Sequence, residues 1–359
     1  MERPSGEGVR HDLANGPLGV VVIGAGDLGS RHAQHWHAAG ARVVAVCDPW
    51  LERAREVAAL VGAEAATHPG AHLSRDDVHV VSVCTPTFLH ESYTVAAIEA
   101  GKHVLCEKPA ALTVSAAERM KAAAELHDRE LRLGLMRRFD PAHHEILRRH
   151  ALLGGPTLAQ ATIVAGLRPK RMMHDARGNG GPVIDMCCHL FDLWRVIFDG
   201  QPESVSAHGY TFAEGRSELA SIEEKALDSA LFTLTYPGGR VGQVQISWGL
   251  PSGVQYIERH SYVGPDGLLI VNWNNGMSLY RGPHPEHWDA PEHDAWRAQI
   301  AQFYRELTEG APRQVATIDD GIDALRISLA VLRSVAERRE VRLDEELERI
   351  PPLEPEVLG

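Results

Sequence analysis

The chain has 359 residues, with 36 Lys and Arg set against 48 Asp and Glu, for a formal net charge of −12. That length suits two domains at about 150 residues each, and the acidic balance argues against nucleic acid as the main partner, because phosphate binding needs clustered cations. Apolar residues make up 44% of the chain, and no apolar run approaches the ~20 residues of a membrane span, so a disordered, collagen-like or membrane-spanning chain is excluded.

Residues 1–17 are polar, carry both charge signs and lack the apolar core of a secretory signal, so they read as a flexible tail. Leu18–Ile23 is a continuous apolar run ending in glycines, the pattern of a strand buried on both faces. Leu28–Ala39 reads as a helix, Arg42–Cys47 as a strand and Leu51–Val61 as a helix stopped by Gly62. His79–Cys84 is a strand halted by Thr85-Pro86, Glu91–Ala100 a helix closed by Gly101, and His103–Cys106 a short strand. Ser115–His127 is helical and Leu131–Met136 returns as a strand. Strands alternating with helices of this length mean right-handed crossovers and a doubly wound parallel sheet.

After about residue 140 the pattern changes. Ala142–Leu153 and Val183–Phe198 read as helices. Candidate strands follow at Pro202–Gly209, Leu227–Thr235, Arg240–Trp248, Glu258–Val263, Leu268–Val271 and Met277–Arg281. Turn signals at Pro237-Gly238-Gly239 and Pro265-Asp266-Gly267 make hairpins and an antiparallel sheet. Helices close the chain near Asp294–Thr308 and Asp320–Arg338.

The five cysteines, Cys47, Cys84, Cys106, Cys187 and Cys188, form no Cys-x-x-Cys pair, and the last two are too close in sequence for an unstrained disulfide. They read as reduced thiols of a cytoplasmic protein. The lone His-x-x-His, His284 to His287, lies in a Pro-rich loop and reads as solvent-facing.

Two motifs carry chemistry. In Gly24-Ala25-Gly26-Asp27-Leu28-Gly29, the first glycine allows the tight turn, the second lets backbone approach a pyrophosphate, and the third lets helix pack on strand. The helix N-terminus then offers free N–H groups to the phosphates. Asp48 stands 19 residues after Gly29, at the tip of the second strand. An acid there binds both ribose hydroxyls and repels a 2′-phosphate, which favours NAD over NADP; NADP stays possible because Arg53 is near in sequence. Lys108 ends a strand at the carboxyl edge where such sheets bind ligands, and Pro109 restricts it to extended geometry.

The second motif is Gly180-Gly181-Pro182 followed by Asp185, His189 and Asp192. Spacings of four and three put these groups on one face of a helix otherwise made of Ile, Met, Cys, Leu and Phe. As a metal pair, Asp185 and His189 lack a clear third ligand, so no metal is assigned. Arg137, Arg138, Arg168, Lys170, Arg171 and His174 cluster before or within the segment leading to this motif and read as domain-boundary salt bridges and a loop over the cleft, or as a hold on a phosphate or carboxylate of the substrate. Trp248 and Trp273 read as sheet packing or as a flat surface for a sugar ring.

Taken together, several stretches resemble the glucose–fructose oxidoreductase, inositol dehydrogenase and rhizopine-catabolism (Gfo/Idh/MocA) family. They are Gly24–Gly29 with His32, Thr85-Pro86 with His90, the run Ala100–Pro109 containing Glu107-Lys108-Pro109, Arg138-Phe139-Asp140-Pro141, and Gly180-Gly181 with Asp185, His189 and Asp192. The resemblance implies an α/β Rossmann domain over 18–140 and an α+β domain over 141–359, with a large, open, mostly antiparallel sheet that commonly joins subunits into a homodimer or homotetramer. It implies that the helix near 320–338 packs back on the first domain, and that the Lys108–Pro109 bond is often cis in relatives. It also implies reversible oxidation of a secondary alcohol on a small-molecule sugar, cyclitol or related polyol by NAD(P), with no membrane partner. Lys108, Asp185 and His189 then match the catalytic triad. Gly24, Gly26, Asp27, Leu28, Gly29, Asp48, Thr85, Pro86, His90, Glu107 and Lys108 fall to the cofactor. In that chemistry His189 accepts the hydroxyl proton, Asp185 orients its ring, and Lys108 donates to the oxygen as charge develops. A non-catalytic NAD-binding sensor, and an NAD-dependent lyase or glycosidase with transient oxidation, remain open alternatives.

Overall fold

The computed structural model describes residues 16–155, 158–273 and 275–348. The expected tail lies outside these residues except for its last two. Six strands, β1 (Gly19–Ile23), β2 (Arg42–Cys47), β3 (Glu64–Ala66), β4 (Val80–Val83), β5 (His103–Cys106) and β6 (Leu131–Leu133), form a wholly parallel sheet in the order β3-β2-β1-β4-β5-β6. The chain order reverses beside β1, so β1 and β4 diverge at the edge where doubly wound sheets bind ligands. The all-apolar sequence of β1 follows from burial on both sides. Val20 and Val22 pack with Trp36 of the Asp27–Ala38 helix, whereas Val21 and Ile23 pack with Ile98 and Met120 on the opposite face. The strand expected to run to Met136 stops at Leu133, and Met136–Phe139 is a turn of 3-10 helix.

The second sheet has nine strands in the order β14-β13-β12-β11-β7-β10-β9-β8-β15. These are β7 (Leu158–Gly166), β8 (Ser204–Tyr210), β9 (Ser229–Tyr236), β10 (Arg240–Leu250), β11 (Ile257–Gly264), β12 (Gly267–Asn272), β13 (Gly276–Tyr280), β14 (Glu286–Trp288) and β15 (Val341–Arg342). Every pairing is antiparallel except β7 with β10. Central β7 was not among the expected strands. Its inward positions include Ala159, Ala161 and Ala165, and alanine is depleted in strands, so the run carries a weak strand signal.

The single helix expected over Val183–Phe198 is two pieces, Gly181–Asp185 and Cys187–Ile197, broken at Met186. The His189 amide bonds the Met186 carbonyl at 3.3 Å, so the Asp185 carbonyl lacks its helical donor. It accepts instead from Lys108 Nζ at 2.9 Å and from the Cys188 thiol at 3.3 Å. A side chain from the loop after β5 thus takes the place of a rung of the helix. The Ile318–Glu337 helix packs on β8, on the Cys187–Ile197 helix and on the Val114–Leu126 helix, and so touches both halves of the chain.

Candidate active site

Gly24 has a positive φ of +96° and packs so closely that an added Cβ would meet the Cys84 carbonyl at 2.6 Å. A Cβ on Gly29 would fall 1.7 Å from the Gly24 carbonyl. Both glycines are required by the tight strand-to-helix turn. Gly26 differs: a Cβ there meets nothing within 4 Å, so its backbone borders open space at the start of the Asp27–Ala38 helix. That is the cradle a pyrophosphate fills.

The open space is a cleft of about 460 Å³, within the range of small-molecule sites. Gly24, Gly26, Leu28, Asp48, Thr85 and Pro86 line it, as the motif spacing expects. Asp48 braces the turn: Oδ2 accepts from the Ala25 amide at 2.8 Å and Oδ1 from the Trp50 amide at 2.9 Å. Each oxygen keeps a second lone pair for a ribose hydroxyl. These features fit a dinucleotide.

Two residues assigned to the cofactor stand behind the wall instead. His90 is buried with its ring nitrogens 2.8 Å from the Pro109 carbonyl and 3.0 Å from that of Thr85. Glu107 is buried against His32, at 3.0 Å from Nε2. Both hold the loops that carry Thr85 and Lys108 and do not line the cleft; Lys108, also assigned to the cofactor, does not line it either. Gly29 is packed against the turn, and Asp27 points outward to an ion pair with Lys170. The Lys108–Pro109 bond is cis.

Lys108 and Asp185 meet from the two halves, and His189 lies close enough for the Lys108 charge to act on its ring. Lys108 Nζ donates to Asp185 Oδ1 through a short ion pair. Burial alone would pull the lysine pKa down; the Asp185 charge outweighs it and holds the ammonium above its ordinary value. Asp185 Oδ2 accepts from Asn179 Nδ2 at 3.3 Å. The carboxylate assigned to orient the imidazole therefore orients the lysine, because the break at Met186 removes the four-residue helical spacing that would face it to His189. His189 is buried, and its Nδ1 has no partner among the described residues. Burial first, then the charges of Lys108 and Arg137, hold its pKa well below the usual imidazole value. Its ring is therefore a neutral acceptor at pH 7.

Asn179 joins this cluster to the cleft. It lines the cleft and accepts from the Thr87 amide at 3.3 Å while donating to Asp185. Sequence reasoning missed it, because it lies between Gly178 and Gly180, one residue before the second motif begins. Trp50 was missed as well. It is 62% exposed at the cleft mouth, with the Arg53 guanidinium stacked 3.8 Å from its ring.

The basic cluster resolves mainly into structure. Arg137 binds Glu258 through two contacts, at 2.5 and 2.7 Å, and lies 4.2 Å over Trp273. Arg138 binds Asp192 in the same forked way, at 2.8 and 2.5 Å. Arg168 lies over buried Trp248, its amide donating to His174 Nε2 at 2.9 Å, and Arg171 reaches Ser221 at 3.1 Å. Lys170 alone of the six lines the cleft.

A family model described as oxidoreductase family, NAD-binding Rossmann fold, matches residues 18–135, and one described as GFO/IDH/MocA C-terminal domain matches residues 147–262. Inositol 2-dehydrogenase 4 of Saccharopolyspora erythraea is 32% identical over 301 residues, covering 82% of this chain and 81% of that one. The scyllo-inositol 2-dehydrogenase (NAD(+)) of Bacillus subtilis is 28% identical over 339 residues, covering 90% and 96%. Among solved structures, UDP-N-acetylglucosamine 3-dehydrogenase from Acidithiobacillus ferrooxidans superposes with a TM-score of 0.74 at 28% identity, covering 89% of this chain and 98% of that chain.

Proposed function

The chain belongs to the Gfo/Idh/MocA family of oxidoreductases, and from that premise we propose that it moves a hydride between a secondary alcohol of a sugar, cyclitol or related polyol and NAD. One observation carries the reading. Asn179 both lines the dinucleotide cleft and bonds Asp185, so one side chain links the Lys108–Asp185 pair to the cleft wall. The relatives named for inositols and for a sugar nucleotide supply the substrate class.

Bound nicotinamide supplies the hydride acceptor. The protein supplies the rest. Gly24, Gly26, Leu28, Asp48, Thr85 and Pro86 hold the dinucleotide, with Trp50 as a wall for its adenine. Lys108 donates an N–H to the substrate oxygen while that oxygen turns from alcohol to carbonyl. His189 accepts the hydroxyl proton, and returns it in the reverse direction. Asp185 positions Lys108, and Asn179 positions Asp185. On this reading residues 18–140 bind the dinucleotide and 141–359 the polyol. The five free thiols fit a reducing, cytoplasmic compartment.

The test mixes protein and NAD with a panel of inositols, aldoses and sugar phosphates and follows absorbance of the reduced nicotinamide. Reduced cofactor is expected to accumulate in step with ketone on at least one polyol, with a lower KM for NAD than for NADP. Bond cleavage without net reduced cofactor points instead to a lyase or glycosidase, and tight NAD binding with no turnover points to a sensor.

We further propose a homodimer or homotetramer built on the uncovered face of the second sheet. Leu158 pairs with Val263, and Leu231 lies on the same face of β9; all three are 40–53% exposed. Apolar surface on a paired sheet suits an interface. Light scattering is expected to give the mass of two or four chains; the mass of one chain rejects the proposal.

A further inference from the structure

Lys170 lies where no cofactor motif predicts a cation. It comes from the second half of the chain, on the loop that follows β7, yet it lines the same cleft as Gly24 and Gly26. The loop is pinned to the second sheet. Leu167 donates to the Leu250 carbonyl at 3.0 Å, Arg168 donates to His174 Nε2 at 2.9 Å, and Ala226 donates to the His174 carbonyl at 2.8 Å. The Lys170 carbonyl itself accepts from Met173 at 3.0 Å. Its side chain reaches the first half of the chain at Asp27, Nζ to Oδ2, at 2.8 Å.

Asp27 is the first residue of the helix whose free N–H groups face the cradle. A bare carboxylate there would repel a pyrophosphate that carries two negative charges. The contact with Lys170 holds Asp27 ionised, its pKa lowered mainly by that hydrogen bond, with smaller help from Arg31 and Arg53. Lys170 lines the cleft whereas Asp27 does not, so of this ion pair it is the lysine that borders the ligand space. Arg53, the other cation on the wall, is stacked on Trp50. The ammonium of Lys170 keeps two further N–H donors beyond the one spent on Asp27.

We infer that Lys170 is a cation which the second half of the chain delivers to the dinucleotide pyrophosphate, with Asp27 holding it in place. This rests on the dinucleotide reading above. Cofactor affinity then depends on both halves of the chain.

Fluorescence titration with NADH, and displacement of NADH by ADP-ribose and by adenosine, separate the possibilities. K170Q is expected to weaken NADH and ADP-ribose about tenfold, the size of one charge-assisted bond. Adenosine, which has no phosphate, is expected to bind within twofold of wild type, and K170R to recover most of the loss. Equal NADH affinity in K170Q and wild type overturns the inference, as does equal weakening of ADP-ribose and adenosine. Wild type that binds no NADH overturns the dinucleotide reading itself, so the two failures are distinct.

Discussion

K108A is expected to lower turnover at least a hundredfold with little change in NADH affinity. The ammonium has three N–H donors. One goes to Asp185 Oδ1 and one to the Asp185 carbonyl. The third is free for a substrate oxygen, and the Asp185 carboxylate keeps the group charged at neutral pH. A positioned cation at an oxygen that develops charge contributes on the order of a hundredfold or more. The variant also strands the carboxylate, which is only 3% exposed. Leaving a buried charge unpaired costs about 3–5 kcal/mol, so K108A alone confounds chemistry with folding. The double variant K108A/D185N removes the stranded charge. It is expected to regain stability in urea while turnover stays low. K108A turning over within tenfold of wild type would remove Lys108 from the reaction.

The residue types of this cluster were legible in the sequence, but their partners were not. The Gly24–Gly29 turn and Asp48 could be placed because each follows from local geometry: a buried strand, a tight turn, a helix start and an acid one strand away. Asp185 was given to His189 on four-residue helical spacing. That spacing fails because a lysine 77 residues earlier takes the Asp185 carbonyl. Helical periodicity cannot register a long-range donor that replaces a backbone amide. The same limit hid β7, whose inward alanines pack against a layer supplied by other segments. Asn179 was invisible as a site residue, and Lys170 was legible only as a salt bridge or a hold on a substrate anion, for a related reason. Their significance lies in the surface they meet across the cleft, and a loop carries no period from which to read its direction.

H189Q is expected to lose at least a hundredfold in turnover, and the stronger test is its pH profile. In wild type, burial, Lys108 and Arg137 all disfavour the imidazolium, and Glu258 opposes them; His143, itself held near 4 by burial, adds to the depression. Only when pH falls well below 6.5 does the ring take a proton and lose its capacity as a base. The acid limb of kcat/KM is therefore expected well below pH 6.5, with a plateau through neutrality. H189Q should show no such limb. The residual activity of K108A should show it displaced upward, because the nearest ammonium is gone and Asp185 is left unneutralised. Stability follows the same sign. Below pH 6.5 the unfolded chain takes up a proton that the folded ring refuses, so this group lowers stability by about 1.4 kcal/mol per pH unit until its folded pKa is reached. A wild-type limb at or above pH 6.5, or a limb that stays put in K108A, would mean that the titrating base is some other group than His189.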